Sequence, residues 1–164
     1  MKLLVFSDSH ATLRLMRKAI ACVKPDWVAH LGDFYEDAEA LAEEFPQIPF
    51  YIVPGNCDKY RSGGLQPGIL CPSFGGVRFY MAHGHDHRVK MTLSMLVADG
   101  QRAGAQVALY GHTHVADLHQ EGNLWVVNPG SCGHAGGTAA LIEVKDGCVE
   151  DCRILSLSDL EEMK

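Results

Sequence analysis

The 164-residue sequence is short of the features that mark membrane, secreted and nucleic-acid-binding proteins. No stretch approaches the roughly 20 consecutive apolar residues of a membrane helix. The opening MKLLVFSDSH has four apolar residues in a row before Ser7 and Asp8, against roughly 7–15 in a signal-peptide core. It reads as a strand, and a cytoplasmic location is the expectation. Positive charge is not in excess: 14 Lys and Arg face 20 Asp and Glu, a net charge of −6. No stable nucleic-acid complex is therefore expected. Six cysteines, at 22, 57, 71, 132, 148 and 152, form no CxxC pair, so free thiols are expected rather than a disulfide framework. Repeats, low-complexity tracts and linkers are also missing. What is present is 47% apolar and 21% charged residues, the balance of an ordinary globular chain, with one domain over residues 1–164 expected.

Short apolar runs bounded by Gly, Pro, Asn and Asp alternate with helical stretches, which predicts an α/β chain. Strands are expected at KLLVF, DWVAH, FYIVP, VRFYMA, VALY, NLWVV, TAALIEV and CVEDCRILSL. The first helix should follow Thr12 as N-cap, burying Leu13, Met16, Ile20 and Val23 and closing at Pro25. A second lies in EDAEALAEEF, with its acidic start at the positive end of the helix dipole. A third spans RVKMTLSMLVADGQR, with Val89, Leu93, Leu96 and Val97 as its apolar stripe and Gly100 near its end. From residue 105 onward no helix is expected, only hairpins. Crossovers followed by hairpins predict a mixed sheet or two packed sheets. The Gly/Pro-rich segment 61–76 reads as a surface loop or substrate-side lid.

The informative pattern is where the polar residues fall. KLLVF runs into SDSH, DWVAH into LGD, FYIVP into GNCD, VRFYMA into HGH, VALY into GHTH and LWVV into NPGS. Loops at the carboxyl ends of strands in α/β sheets converge on ligand sites. These loops offer Asp8, His10, Asp33, Asn56, His83, His112 and His114. Seven carboxylate, amide and imidazole donors exceed one tetrahedral zinc and suit two octahedral or near-octahedral divalent ions such as manganese or iron. Such a pair is a phosphoryl-transfer device. In an extended GHTH loop His112 and His114 would project to one side and reach different ions.

The ordered set Asp8-Ser9-His10, Gly32-Asp33, Gly55-Asn56-Cys57-Asp58, His83-Gly84-His85 and Gly111-His112-Thr113-His114 resembles the calcineurin-like metallophosphoesterase superfamily. Within it the chain is similar to the small, cap-less bacterial and archaeal phosphodiesterases. The resemblance spans residues 1 to about 134. It implies a sandwich of two mixed sheets flanked by helices. It also implies a dinuclear phosphoesterase, most naturally a phosphodiesterase, in which a hydroxide held between the ions attacks phosphorus directly. Asp8, His10 and His114 would bind the first ion, Asn56, His83 and His112 the second, and Asp33 would bridge them. Manganese is the expected metal, with iron, zinc, nickel or cobalt as alternatives. The substrate would be a small phosphodiester or nucleotide-like molecule, and a homo-oligomer is left open.

One position departs from the common family pattern. Cys57 stands where many relatives carry a histidine that contacts phosphate and protonates the leaving oxygen, and the small phosphodiesterases resemble this chain in that respect. A thiol is a poor substitute for an imidazole in that role, so His85, His87 and His134 become candidates, with His85 preferred. Weak acid assistance should favour aryl phosphodiesters over alkyl monoesters. Between His83 and His85 as ligand the residues alone do not choose; the resemblance favours His83. Asn56, Cys57, His85 and His134 are the candidate substrate contacts, with loop filler an equal reading for His134. Arg61 is either a phosphate clamp or solvated. Tyr35, Tyr60 and Phe74 line an entrance or pack. His30 should make a structural hydrogen bond, His119 should lie on a hairpin surface, and Asp58 should cap its turn. Asn128 and Ser131 shape the site edge or touch phosphate. The competing functions are a non-catalytic interaction scaffold of the same fold, a phosphomonoesterase or dinucleoside-polyphosphate hydrolase, and a thiol sensor.

Overall fold

The computed structural model describes residues 1–58, 66–133 and 136–162, and the backbone only at 161–162. Two sheets face each other. The first has the order β11-β10-β1-β2-β3, formed by β1 (Lys2–Phe6), β2 (Trp27–His30), β3 (Phe50–Ile52), β10 (Thr138–Lys145) and β11 (Cys148–Ser156). The second has the order β4-β6-β7-β9-β8, formed by β4 (Ile69–Leu70), β6 (Val77–Ala82), β7 (Val107–Leu109), β8 (Asp117–Glu121) and β9 (Leu124–Asn128), with β5 (Ser73–Phe74) also pairing β6. Four helices are described: α1 (Leu13–Val23), α2 (Tyr35–Glu44), α3 (Ser94–Arg102) and α4 (Leu157–Glu162). The expected two mixed sheets flanked by helices are present.

Strand alternation divides the apolar residues into three cores. Leu3 and Val5 of β1, Phe79 and Met81 of β6, and Val107 and Leu109 of β7 meet between the sheets. Leu4 and Phe6 point the other way, against Met16, Ala19 and Ile20 of α1, Leu41 of α2 and Leu157 of α4. Tyr80, Ala82, Ala108 and Tyr110 cover the outer face of the second sheet, under Leu96 of α3. Strands buried on both faces explain the continuous apolar runs in the sequence.

What positions the site is strand direction. β1, β2 and β3 are parallel neighbours in one sheet, and β6, β7 and β9 are parallel neighbours in the other. Each triplet ends its strands at one edge, and hydrogen bonds between loops join the two edges: the His83 ring to Leu31 O and the His112 amide to Asp8.

Several local expectations need correction. Thr12 makes no side-chain cap bond to α1, and its hydroxyl instead faces Gly133 O at 3.5 Å. The helix does close before Pro25, on Lys24 in a left-handed conformation. α3 begins at Ser94 rather than near Arg88, because Arg88 itself is left-handed (φ 55°) and breaks the helical path. Gly100 lies inside α3 and is buried against Ala108 and Leu124, so it is a packing glycine and not a cap. Segment 61–76 is no continuous loop: β4 and β5 occupy part of it, and Phe74 is core, stacked on Trp27 at 4.8 Å. Tyr35 is also buried, and Tyr60 and Arg61 fall outside the described residues. β8 and α4 were both absent from the sequence expectation.

Candidate metal centre

The six polar loops assemble at the joined edge. Asp8 is fully buried after β1. Its Oδ2 accepts hydrogen bonds from the Ser7 hydroxyl and from the His112 amide at 3.1 Å. Oδ1 then lies 3.0 Å from His114 Nε2. The His10 ring packs against His114 with centroids 5.1 Å apart. One donor atom each from Asp8, His10 and His114 lies within 4.8 Å of the others.

A second group forms from Asp8, Asp33 and His83, with the same 4.8 Å limit and all three residues buried. His83 Nδ1 donates to Leu31 O at 2.6 Å. In the neutral ring that bond places the proton on Nδ1 and turns the lone pair of Nε2 toward the site. Nε2 faces Asn56 Oδ1 at 3.1 Å and Asp33 Oδ1 at 3.6 Å. An imidazole nitrogen, an amide oxygen and a carboxylate oxygen thus converge, the atom types that bind divalent ions, and with His83 neutral a cation would satisfy all three. The donor set therefore fits a divalent ion. The His112 ring sits 5.0 Å from His83 and 6.1 Å from His85. Asp8 belongs to both groups of donors. Asp33, the expected bridge, has His83 beside it and also feels the charge of His10.

The electrostatics suit metal binding. Burial would raise the Asp33 carboxyl, but His83, the Cys57 amide at 3.0 Å and His10 outweigh it and hold the group below its usual value. Burial, with His83 and Lys90 next, lowers His112 to about 4, so its imidazole is neutral near pH 7, as a ligand must be. Cys57 moves the opposite way. Partial desolvation and the Asp33 charge push its thiol up, which removes the basis for a thiolate sensor.

Glycine enables the close approaches. A Cβ on Gly111 would lie 2.0 Å from Ser7 Oγ, and one on Gly55 would lie 2.1 Å from Asp33 Oδ1. The ligand-bearing loops are also coiled more tightly than an extended reading allows. Asp8, His10, Asp33, His112 and His114 all have φ between 47° and 67°, a conformation that Asp and His tolerate better than most residues. His112 and His114 therefore part company through left-handed turns, one ring toward His83 and the other toward His10, and not through strand alternation.

The other expected residues distribute as follows. His85 lies at the site beside His83 and His112, with Nε2 3.2 Å from the Asp86 carboxylate. His87 is turned away to the outer face, where Nε2 meets the Tyr80 hydroxyl at 2.8 Å. His134 lies outside the described residues. His30 makes its structural bond, Nε2 to Ser9 Oγ at 3.2 Å, and burial lowers it to about 4. His119 lies on β8 between Asp117 and Glu121. Asn128 donates to Gly111 O and Thr113 Oγ1, and Ser131 donates to Asp8 O, so both brace the site edge.

Two residues have larger roles than sequence reasoning gave them. Asp58 accepts from the Gly55 amide and also from the Phe34 and Tyr35 amides, clasping the second and third loops together. Asp37, read only as a favourable charge at the start of α2, accepts from Ser9 Oγ at 2.6 Å and the Ala11 amide at 2.9 Å. The only sequence signal for this was an acid in a first helical turn, which does not reveal a partner 26 or 28 residues away.

Comparison with known proteins agrees with this geometry. Residues 1–147 match the calcineurin-like phosphoesterase superfamily domain. A probable metallophosphoesterase, YsnB of Bacillus subtilis, is 31% identical over 134 residues, covering 80% of this chain and 75% of the relative. Phosphodiesterase MJ0936 of Methanocaldococcus jannaschii is 28% identical over 148 residues, covering 80% and 84%. The crystal structure of a predicted phosphoesterase from Streptococcus pneumoniae superposes with a TM-score of 0.77 at 26% identity, covering 96% of this chain and 90% of that one. Vacuolar protein sorting 29 from Cryptosporidium parvum shares the fold alone, with a TM-score of 0.72 at 17% identity over 94% and 97% of the chains. With five ordered motifs meeting at one edge and a family match over most of its length, the chain belongs to the calcineurin-like phosphoesterase superfamily.

Proposed function

We propose that this protein is a dinuclear, metal-dependent phosphodiesterase of the cytoplasm that hydrolyses small phosphodiesters or nucleotide-like esters, with manganese as its working metal. The observation that carries this reading is the convergence of His83 Nε2, Asn56 Oδ1 and Asp33 Oδ1 beside a second donor group of Asp8, His10 and His114. Asp8, His10 and His114 would hold the first ion and Asn56, His83 and His112 the second, with Asp33 available to both. Two divalent ions, once bound, supply Lewis acidity to the phosphoryl oxygens and activate water near neutral pH.

The chain's own residues do the rest. Against burial, Asp33 stays ionised through the charge of His83 while that ring is protonated, before it gives Nε2 to a metal, and through the Cys57 amide at 3.0 Å. The bond from His83 to Leu31 O keeps the ring oriented and its Nε2 available. Asn56 orients the phosphate oxygens. Cys57, with its raised thiol, contacts substrate as a neutral group. The proton for the leaving oxygen comes from His85, beside His83 and His112. With seven metal-competent side chains in the seven positions, catalysis is favoured over the scaffold reading.

A screen of bis(p-nitrophenyl) phosphate, p-nitrophenyl phosphate, alkyl monoesters and cyclic nucleotides with and without Mn2+ tests this. Metal-dependent turnover should be fastest on the aryl diester and lost in Asp33→Asn. Equal turnover of alkyl monoesters refutes the diesterase assignment, and full activity in Asp33→Asn refutes the mechanism.

A further inference from the structure

His10 sits at the tip of a four-residue turn, Ser9 to Thr12, closed by the Thr12 amide donating to Ser9 O at 3.0 Å. Both central residues, His10 at φ 47° and Ala11 at φ 64°, are left-handed, the pattern of a type I′ turn, which Gly, Asn and Asp otherwise dominate. A histidine and an alanine stay in that conformation only where surrounding contacts hold them there. One side-chain atom supplies two of those contacts. Asp37 Oδ2, in the first turn of α2, accepts from the Ser9 hydroxyl at 2.6 Å and from the Ala11 amide at 2.9 Å. The two neighbours of His10 therefore hang on the same oxygen.

The direction of these bonds is fixed from both ends. The Asp37 carboxylate can only accept. At the other end His30 Nδ1 accepts from the Gly32 amide at 3.3 Å, which leaves the proton of the neutral ring on Nε2, 3.2 Å from Ser9 Oγ. Ser9 thus receives from His30 and gives its own proton to Asp37. The start of α2 holds His10 in a second way, through Phe34, whose ring meets the His10 ring edge-on at 5.2 Å and whose carbonyl accepts from the Asp37 amide at 3.0 Å. Asp8 has separate anchors. Its Oδ2 takes the Ser7 hydroxyl and the His112 amide, its carbonyl takes the Ser131 hydroxyl, and its amide donates to Gly32 O. Loss of Asp37 should release His10 and leave Asp8 in place.

We propose that Asp37 is the positioning residue for His10 in the first ion site. Through Ser9 and Ala11 it directs the His10 ring toward an ion shared with Asp8 and His114, and it does so by hydrogen bonding rather than by charge. The inference rests on the metal-dependent reading for the ion itself. The second donor group is anchored elsewhere, His83 on Leu31 O and Asp33 on the Cys57 amide, so the influence of Asp37 should stop at the first site.

The test is a Zn2+ titration of the metal-free protein, of Asp37→Ala and of Asp37→Asn, followed from the NMR signals of the His10 and His83 rings. Both substitutions remove the same charge from the first turn of α2, but only Asn keeps an oxygen that can accept both bonds. The difference between them therefore reads hydrogen bonding alone. In Asp37→Ala, His10 should need at least about tenfold more Zn2+ for half-saturation, the effect of losing an outer partner of a metal ligand, while His83 should respond as in the unmodified protein. In Asp37→Asn, His10 should stay within about threefold of the unmodified protein, because a neutral oxygen accepts the same bonds less strongly. Ser9→Ala deletes one of the two bonds; it should fall between the unmodified protein and Asp37→Ala, and it carries the same test if Asp37→Ala does not fold. An equal loss at His10 and His83, an unaltered His10 in Asp37→Ala, or an Asp37→Asn as weak as Asp37→Ala overturns the inference. If His83 ignores Zn2+ in the unmodified protein while His10 still depends on Asp37, the two-ion reading fails and the inference stands. If both rings respond at the same concentration in every variant, the inference fails and the two-ion reading stands.

Discussion

The two ends of the sandwich are built by different rules. At the carboxyl ends of the parallel strands, Asp8, His10, Ala11, Asp33, Phe34, His112 and His114 are all non-glycine residues with positive φ. In the hairpins that join β8 to β9 and β10 to β11, Gly122 and Gly147 take positive φ, an added Cβ would meet nothing within 4 Å, and Asp146 is the one left-handed non-glycine residue among the described residues of these two turns. The site end also uses glycine, at Gly32 and Gly84, but there seven non-glycine residues are left-handed, at a cost of order 1–3 kcal/mol each. The difference is one of density: left-handed non-glycine residues gather where donor atoms must converge.

The comparison can be broken in graded ways. The largest effect belongs to Asp33→Asn, which should lower metal-dependent diester hydrolysis by roughly 10³-fold while leaving the fold intact by circular dichroism; a loss under tenfold would separate Asp33 from the chemistry. Gly111→Ala comes next. The new methyl has to displace Ser7 and Asp8, so thermal unfolding should show about 3 kcal/mol of destabilisation, with activity falling as well.

A pH effect of similar size should come from His30, which burial lowers to about 4. Its unfolded form takes up a proton below about 6.5 while the folded form resists until about 4, so stability is fully present above 6.5 and is lost as pH falls through that window. Urea titrations of the metal-free protein from pH 7 to 4 should record this loss together with that of His112, lowered into the same window, and His30→Gln should make the curve shallower without flattening it.

Smaller effects lie in the backbone. Ala11 is exposed with φ 64°, so Ala11→Gly should stabilise by about 1 kcal/mol in chemical denaturation. Gly122→Ala, at the opposite end, should destabilise by about 1 kcal/mol with no change in activity. If Ala11→Gly gave no gain, the claim of stored strain at the site end would fail.

Sequence reading reached the layered fold and the polar loops that meet at its edge because both leave periodic traces. Apolar runs such as KLLVF and VALY are buried on both faces, and each is followed by a polar loop in the same phase. β8 left no such trace, since the edge segment DLHQE has no fully buried residue. β4 and β5 are two residues each within a Gly/Pro-rich stretch, below any window in which period 2 can be seen. The acceptor roles of Asp37 and Asp58 depend on partners brought together by the fold. Left-handed φ at Asp8 or His114 is a property of the assembled loop, and Asp and His are permissive of it rather than diagnostic.

The most direct measurement is anomalous diffraction from a Mn2+-soaked crystal at the manganese edge. Two peaks are expected, one contacted by Asp8, His10 and His114 and the other by Asn56, His83 and His112, with Asp33 touching both. A single peak contacted by His112 and His114 together would contradict it.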